Sequence, residues 1–148
     1  MPFKALPVRS LPRAPACRPD TASSCSSSSY ALFIDDERMP PAQLPEGCTR
    51  WIIARTLDEV RTTLRCHGSP LHVSFDHDLG AAQPSGHEIA KALIAADLDA
   101  RSDVSAPSDD ARGLRGALPA GFTYSVHSMN PVGAENIARL MARYLTRR

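Results

Sequence analysis

Acidic, histidine and arginine residues follow three short apolar segments of this chain, and these residue types suit chemistry on a charged group. Carboxylates bind hard cations, imidazoles exchange protons near neutral pH, and a guanidinium binds anions through paired N–H donors. If the three segments are neighbouring strands of a parallel sheet, the groups meet at one edge. The groups are Asp35-Asp36-Glu37-Arg38, Asp76-His77-Asp78 and His127-Ser128-Met129-Asn130.

The carboxylates of such a site would repel one another and therefore need protons or a cation. Two unit charges about 4 Å apart cost roughly 4 kcal/mol at an effective dielectric near 20. Asp35, Asp36 and Asp76 offer only hard oxygen atoms, so the sequence predicts Mg²⁺, with Mn²⁺ as the next choice. An inward-turned His77 or His127 would instead favour a transition metal. A cation held in this way keeps open positions that polarise a phosphoryl oxygen or activate water.

Two histidines and one further acid are the candidate catalytic residues, namely His77, His127 and Asp78. Both imidazoles titrate near neutrality when unperturbed, which makes them candidates for the general acid and the general base. Each also has an ordinary structural interpretation, as a satisfied loop histidine or as a donor to a backbone carbonyl. The other three histidines lie off this edge or on a helix and are interpreted as incidental: His67, His72 and His87.

Contacts to phosphate oxygens are expected from Arg38, Ser128 and Asn130. Arg38 has paired N–H donors, and Ser128 lies next to a helix N-terminus that offers backbone donors. Asn130 precedes a proline, a pattern typical of a helix cap followed by its first residue, whatever else Asn130 does. Arg38 and Arg55 fit solvated ion pairs equally well, and an Asp-Asp pair after a strand is also common in turns.

The elements that would position these residues follow from the spacing of apolar residues. Strands are predicted at Tyr30–Ile34, Trp51–Ala54, Leu71–Phe75 and Phe122–Val126. Helices are predicted after the capping boxes Thr56–Glu59 and Ser85–Glu88 and after Asn130-Pro131. The prolines within 37–49 argue against a helix there. The alternation predicts a three-layer α/β fold, with a parallel sheet of about four strands, helices on both faces and ligands beyond the carboxyl ends of the strands.

The chain divides into a tail and one domain. Residues 1–29 are rich in proline and serine and cannot bury enough apolar surface to fold, so we predict a disordered tail. Residues 30–148 are predicted to form the domain, and 97–121 lack periodicity and are predicted to be a long loop.

The chain has 148 residues and a net charge of +1. Its composition excludes several classes of protein. No apolar run approaches the roughly 18 residues that cross a bilayer, so we expect a soluble protein without a membrane partner. No cluster of basic residues is interleaved with aromatics, so the sequence lacks a DNA-binding signature. No two of the four cysteines have C-x-x-C spacing, which favours neither a zinc ribbon nor a disulfide scaffold and fits a reducing cytoplasm.

The acidic residues resemble the site of response-regulator receiver domains. Asp35, Asp36 and Asp76 match the three acids that hold Mg²⁺ in that family, with Asp76 at the phosphoacceptor position and Ser128 at the position of its hydroxyl residue. The sequence departs from receivers in a proline-rich first crossover and in the absence of a fifth predicted strand with its phosphate-binding lysine.

A closer resemblance is to the cyclic-phosphate-processing receiver-like family of bacteria and phages. It rests on four motifs: Leu32-Phe-Ile-Asp-Asp-Glu-Arg38, Arg55-Thr56, Ser74-Phe-Asp-His-Asp-Leu-Gly80 and Val126-His-Ser-Met-Asn-Pro-Val-Gly133. This resemblance implies a receiver-like fold and metal-dependent processing of a cyclic or terminal phosphate, on a small molecule such as a nucleotide or on an RNA end.

Three functions therefore compete at this stage. The first is a metal-dependent phosphoesterase, a hydrolase of phosphoric esters. The second is a signalling receiver phosphorylated on Asp76, and the missing lysine argues against it. The third is a non-catalytic module that binds a nucleotide or a protein partner, whose identity the sequence does not indicate.

Overall fold

Four parallel strands alternate with three helices in the computed structural model, which describes residues 29–102 and 118–148. The strand order is β2-β1-β3-β4, and each pair of neighbours is parallel. The predicted parallel α/β sheet is therefore confirmed. The elements are β1 (Tyr30–Ile34), β2 (Arg50–Ala54), α1 (Leu57–His67), β3 (His72–Phe75), α2 (Gly86–Arg101), β4 (Thr123–Val126) and α3 (Pro131–Arg147).

The predicted capping residues begin the first two helices. Ser85 and Glu88 form a complete capping box at α2. At α1 the Thr56 side chain accepts a hydrogen bond from the backbone N–H of Glu59. The Glu59 carboxylate accepts from the N–H of Arg55 at 2.7 Å, one residue before the cap, so only one half of the predicted box forms as expected.

Helix α2 continues through Asp97 to Arg101, so the predicted loop over 97–121 is wrong at its start. The reason is that Asp97 points into the core and accepts a hydrogen bond from Arg101 one turn later, at 3.0 Å, which favours another helical turn. Residues 103–117 of that loop lie outside the described residues, as does the predicted tail over 1–28.

The hydrophobic core joins all three helices to one face of the sheet. Val60 of α1, Leu93 of α2 and Met141 of α3 belong to the same buried cluster as Leu32 and Val73 of the two central strands. Successive side chains of a strand point to opposite faces, and Leu32 and Val73 are register partners on the same face. The described helices therefore cover this face alone.

Among the described residues, the opposite face of the sheet carries no helix. The register places Phe33, Ser74 and Ser125 side by side on this face. Both helical crossovers, β2 to β3 and β3 to β4, run in the same direction along the sheet. Right-handed crossovers in one direction fall on one face, and the first crossover, with Pro40 and Pro45, forms no helix.

Two further sequence expectations concern the membrane and the cysteines. Among the described helices, none is both long and apolar enough to cross a bilayer. Cys48 is a free thiol, whereas Cys66 is disulfide-bonded, which the cysteine spacing did not indicate.

A fully buried carboxylate, Asp97, connects α2 to α3 and to the segment before β4. Its Oδ1 accepts from Arg101 Nε at 3.0 Å and from the N–H of Leu118 at 2.8 Å. Its Oδ2 accepts from the Tyr144 hydroxyl at 2.6 Å and lies 3.5 Å from Nε of Arg148. Burial raises the pKa of Asp97, but these hydrogen bonds and charges outweigh burial, so the pKa lies below its ordinary value. Asp97 is therefore ionised in the folded protein.

Replacing this carboxylate should destabilise the fold. Asp97→Ala is expected to lower the free energy of unfolding by about 3–5 kcal/mol at pH 7, because buried donors lose their acceptor. Urea denaturation measures this change. The matched control is Glu135→Gln, which breaks only an exposed helical ion pair with Arg139 and should change stability by no more than about 0.5 kcal/mol. A loss for Asp97→Ala no larger than that of the control would contradict the assignment.

The same carboxylate gives a pH dependence with a defined sign. Because folding lowers the pKa of Asp97 below 3.8, its stabilisation is fully present above that value and disappears as the pH falls through the folded pKa. In acid titrations the wild type should therefore lose its stability advantage over Asp97→Ala.

Candidate functional site

Three carboxylates meet at the carboxyl edge of the two central strands. Asp35 follows β1 and Asp76 follows β3, and these strands are hydrogen-bonded neighbours. With Asp36 they bring one carboxylate oxygen each to within 4.8 Å of the others. Asp35 and Asp76 are only 1% and 5% exposed, whereas Asp36 reaches solvent. The three residues predicted to bind a metal thus lie together, and their all-oxygen donor set fits a hard divalent cation.

The turn after β1 fixes the Asp35 side chain. Its Oδ1 accepts from the N–H groups of Glu37 at 2.8 Å and Arg38 at 2.5 Å. Arg55, which follows β2, donates to the backbone oxygens of Asp35 at 2.7 Å and Arg38 at 2.6 Å. Burial raises the pKa of Asp35, but the hydrogen bonds from Arg38, Glu37 and His127 outweigh it and lower the pKa overall. Asp35 is therefore ionised, and Arg55 acts here on the loop backbone.

Asp76 is positioned by the close approach of α2. The N–H of Gly86, the first residue of α2, donates to the carbonyl of His77 at 2.9 Å. A Cβ atom at position 86 would lie 1.8 Å from the carbonyl oxygen of Asp76, so only glycine fits. The N–H of His77 donates in turn to Oδ1 of Asp76 at 2.7 Å.

A cavity of about 350 Å³ opens over the three carboxylates, and the other residues that line it are Glu37, Arg38, Asp78, Gly80 and Met129. Arg38 is the one basic residue in this lining. It donates to the backbone carbonyl of His127 at 2.7 Å, and its Nε lies 3.8 Å from Oδ2 of Asp35. The cavity therefore combines a strongly acidic floor with one guanidinium at its side.

His127 contacts Asp35 directly but does not line the cavity. Its Nε2 lies 3.0 Å from Oδ2 of Asp35, and its Nδ1 lies 2.7 Å from Oγ of Ser74. The ring stacks on Phe33, with centroids 4.4 Å apart and planes inclined by 10°. Both ring nitrogens are thus engaged, which suits a residue that orients Asp35.

His77 lies behind the rim of the cavity, against the start of α3. A Cβ atom at Gly133 would be 2.2 Å from Cγ of the His77 ring, so the glycine makes room for the imidazole. His77 Nε2 is 3.9 Å from Oδ1 of Asp78, which is exposed and lines the cavity. Nδ1 of His77 is buried and has no hydrogen-bond partner among the described residues.

Ser128 and Asn130 are engaged in capping α3. The Asn130 side chain accepts from the N–H of Gly133 at 2.9 Å, and the N–H of Asn130 donates to the Ser128 hydroxyl at 3.2 Å. The predicted cap is confirmed. Of the three residues predicted to contact phosphate, only Arg38 lines the cavity.

The sequence reasoning missed a row of polar residues behind His127. Ser74 bonds to His127, Ser125 bonds to Ser74, and His72 bonds to both Ser125 and Thr123. The signal was present in the sequence as polar residues at every second position, which places them on one face of their strands. His72, interpreted above as incidental, is part of this row.

Residues 30–143 match the sequence model of a family described as the cyclic-phosphate processing receiver domain. The chain belongs to this family. The match extends over the four strands, the acidic cluster and most of α3, so the resemblance drawn from the four sequence motifs is confirmed. No curated protein and no solved structure matches this receiver domain.

The close contact between α2 and Asp76 predicts that one methyl group added at Gly86 destabilises the fold. Gly86→Ala should lower the free energy of unfolding by about 1–3 kcal/mol, because the Asp76 backbone must move away from the new Cβ. Gly121→Ala is the matched control, since the nearest atom to its Cβ is 3.7 Å away. Urea denaturation of both variants, with amide NMR spectra reporting on Asp76, measures the difference. Equal stability of the two variants would show that the predicted collision is absent.

Proposed function

We propose that this receiver domain is a metal-dependent phosphoesterase that processes a cyclic or terminal phosphate on a nucleotide or an RNA end. The observation that carries the proposal is the grouping of three carboxylates within 4.8 Å, in a cavity that a guanidinium also lines. A site for a divalent cation beside an anion-binding arginine suits a phosphate ester.

Asp35, Asp36 and Asp76 would bind the cation, which is Mg²⁺ by preference and Mn²⁺ as the alternative. Their mutual repulsion supports this assignment, because Asp35 and Asp76 are both buried and a dication removes the unfavourable interaction. When bound, such a cation polarises a phosphoryl oxygen and lowers the pKa of a coordinated water.

The remaining roles fall to residues of the cavity lining and to the two histidines behind it. Arg38 is placed to bind a phosphoryl oxygen through N–H groups that its backbone contact leaves free. His77 lies behind Asp78, with its Nε2 3.9 Å from Oδ1 of Asp78. We assign proton exchange with the leaving oxygen to this pair, through Asp78, which lines the cavity. His127 orients Asp35, since neither of its ring nitrogens is free.

Met129 supports a substrate with an uncharged organic part. This residue is 82% exposed although it lines a cavity that is otherwise mostly acidic. An exposed thioether is a flexible apolar contact surface that suits a planar ring. A nucleoside phosphate offers both a charged phosphate and such a ring.

The direct test is a hydrolysis screen of the purified protein. Nucleoside 2′,3′-cyclic, 3′,5′-cyclic and terminal phosphates are each supplied with Mg²⁺ or Mn²⁺, and phosphate ester cleavage is followed by chromatography. We expect turnover of at least one class and its loss in the presence of a chelator. Metal-dependent binding without any product would contradict the enzyme and favour a binding module.

Removing one carboxylate should distinguish a specific metal site from a general effect of negative charge on the protein. Asp36→Asn is expected to lower both metal affinity and turnover by at least about tenfold, because ligand charge sets the affinity for hard cations. Asp58→Asn is the matched control, since Asp58 is 88% exposed and pairs with Arg61 on α1. Calorimetric metal titration and the hydrolysis assay give the two values. A similar effect of both variants would contradict the assigned ligand set.

A further inference from the structure

We propose that Ser74 is a positioning residue of the acidic site, whose hydroxyl donates to Nδ1 of His127 and thereby keeps the Nε2 hydrogen of His127 on Asp35. The inference rests on the proposed function, in which Asp35 is a metal ligand. It assigns a role to a buried serine that does not line the cavity.

The donors and acceptors of His127 follow from the chemistry of its neighbours. A carboxylate only accepts hydrogen bonds, so the hydrogen in the 3.0 Å contact between His127 and Asp35 lies on Nε2. The other ring nitrogen, Nδ1, lies 2.7 Å from the hydroxyl oxygen of Ser74.

The contact behind Ser74 gives the direction of its bond to His127. The Ser125 hydroxyl donates to the Ser74 oxygen at 2.9 Å, which leaves the single hydrogen of Ser74 for His127. Because the Ser125 hydrogen is used in this way, the 3.0 Å contact between Ser125 and Nε2 of His72 has the imidazole as donor. Nδ1 of His72 is then the acceptor for the Thr123 hydroxyl at 2.8 Å.

Every polar group in this row thus donates one hydrogen bond toward Asp35. We call the residues Thr123, His72, Ser125, Ser74 and His127 the hydrogen-bond chain. Polar groups linked in series polarise one another, so the bonds of such a chain reinforce each other.

Among the described residues, Ser74 is the one that bonds to Nδ1 of His127. It is 4% exposed and lies between its register partners Phe33 and Ser125. Stacking on Phe33 fixes the plane of the His127 ring. Asp35 accepts the hydrogen on Nε2, and Ser74 keeps it there by occupying the other ring nitrogen.

The consequence for the site is a carboxylate fixed at both oxygens. Oδ1 of Asp35 accepts from two backbone N–H groups, and Oδ2 accepts from His127. Groups that bond to metal ligands in this way orient them, and their loss typically costs about 10–100-fold in metal affinity or activity.

The first test observes the hydrogen itself. Long-range ¹H–¹⁵N spectra of protein labelled on histidine should show His127 with hydrogen on Nε2 and an acceptor Nδ1. His127→Gln assigns the signals. In Ser74→Ala this pure Nε2–H form should be lost, whereas a wild-type ring with hydrogen on Nδ1, or an unchanged ring in Ser74→Ala, would overturn the proposal.

The second test measures metal affinity in the whole chain with Mg²⁺ alone as the probe. Ser74→Ala should weaken binding about tenfold, and Ser74→Thr, which retains the hydroxyl, should restore it to within about twofold. Ser125→Ala is the matched control, because it removes a hydroxyl that does not touch His127. Equal weakening by Ser74→Ala and Ser125→Ala would overturn the specific role of Ser74.

The two tests separate this inference from the proposed function. A wild-type protein that binds no Mg²⁺ would refute the metal site, while the histidine spectra would still decide whether Ser74 fixes His127. Conversely, an active metal-dependent enzyme whose His127 spectrum does not respond to Ser74→Ala would refute only the role of Ser74.

Discussion

Repulsion among the carboxylates of Asp35, Asp36 and Asp76 is the constraint that the surrounding structure has to meet. Two charges at about 4 Å oppose each other by roughly 4 kcal/mol at an effective dielectric near 20, which is a large part of the 5–15 kcal/mol that stabilises a typical domain. Fixed donors offset part of this cost. Asp35 receives two backbone N–H groups and His127, and Asp76 receives the N–H of His77. A divalent cation would offset the remainder.

The one-sided packing of the helices explains how these donors are supplied. The core lies between the three helices and one sheet face. No described helix packs on the other face, so its strand residues do not have to fill an interface with these three helices. Polar side chains such as Ser74 and Ser125 can then pair with one another across neighbouring strands. The same parallel register that forms the core thus also aligns the hydrogen-bond chain behind Asp35.

Much of this arrangement could be predicted from local patterns. Apolar runs gave the strands to within about one residue, and side-chain caps gave the helix starts, because both depend on neighbours in the chain. The grouping of Asp35 with Asp76 followed from a general property of parallel sheets. The family followed from four motifs whose residues can be compared one by one.

Other features depend on contacts between distant segments and could not be predicted in the same way. Asp97 resembled a loop residue because its partners Leu118 and Tyr144 lie far along the chain. The hydrogen bonds of His72 and Ser74 could not be predicted, because they depend on the strand register that places both residues beside β4.

The most direct measurement of the central claim is a Mg²⁺ titration of the intact protein followed by backbone amide NMR. Binding by the three carboxylates predicts saturable shifts centred on the turns after β1 and β3, around Asp35, Asp36 and Asp76, with small changes at the far ends of the strands. Absence of saturable shifts at these residues, or shifts centred elsewhere, would contradict the site.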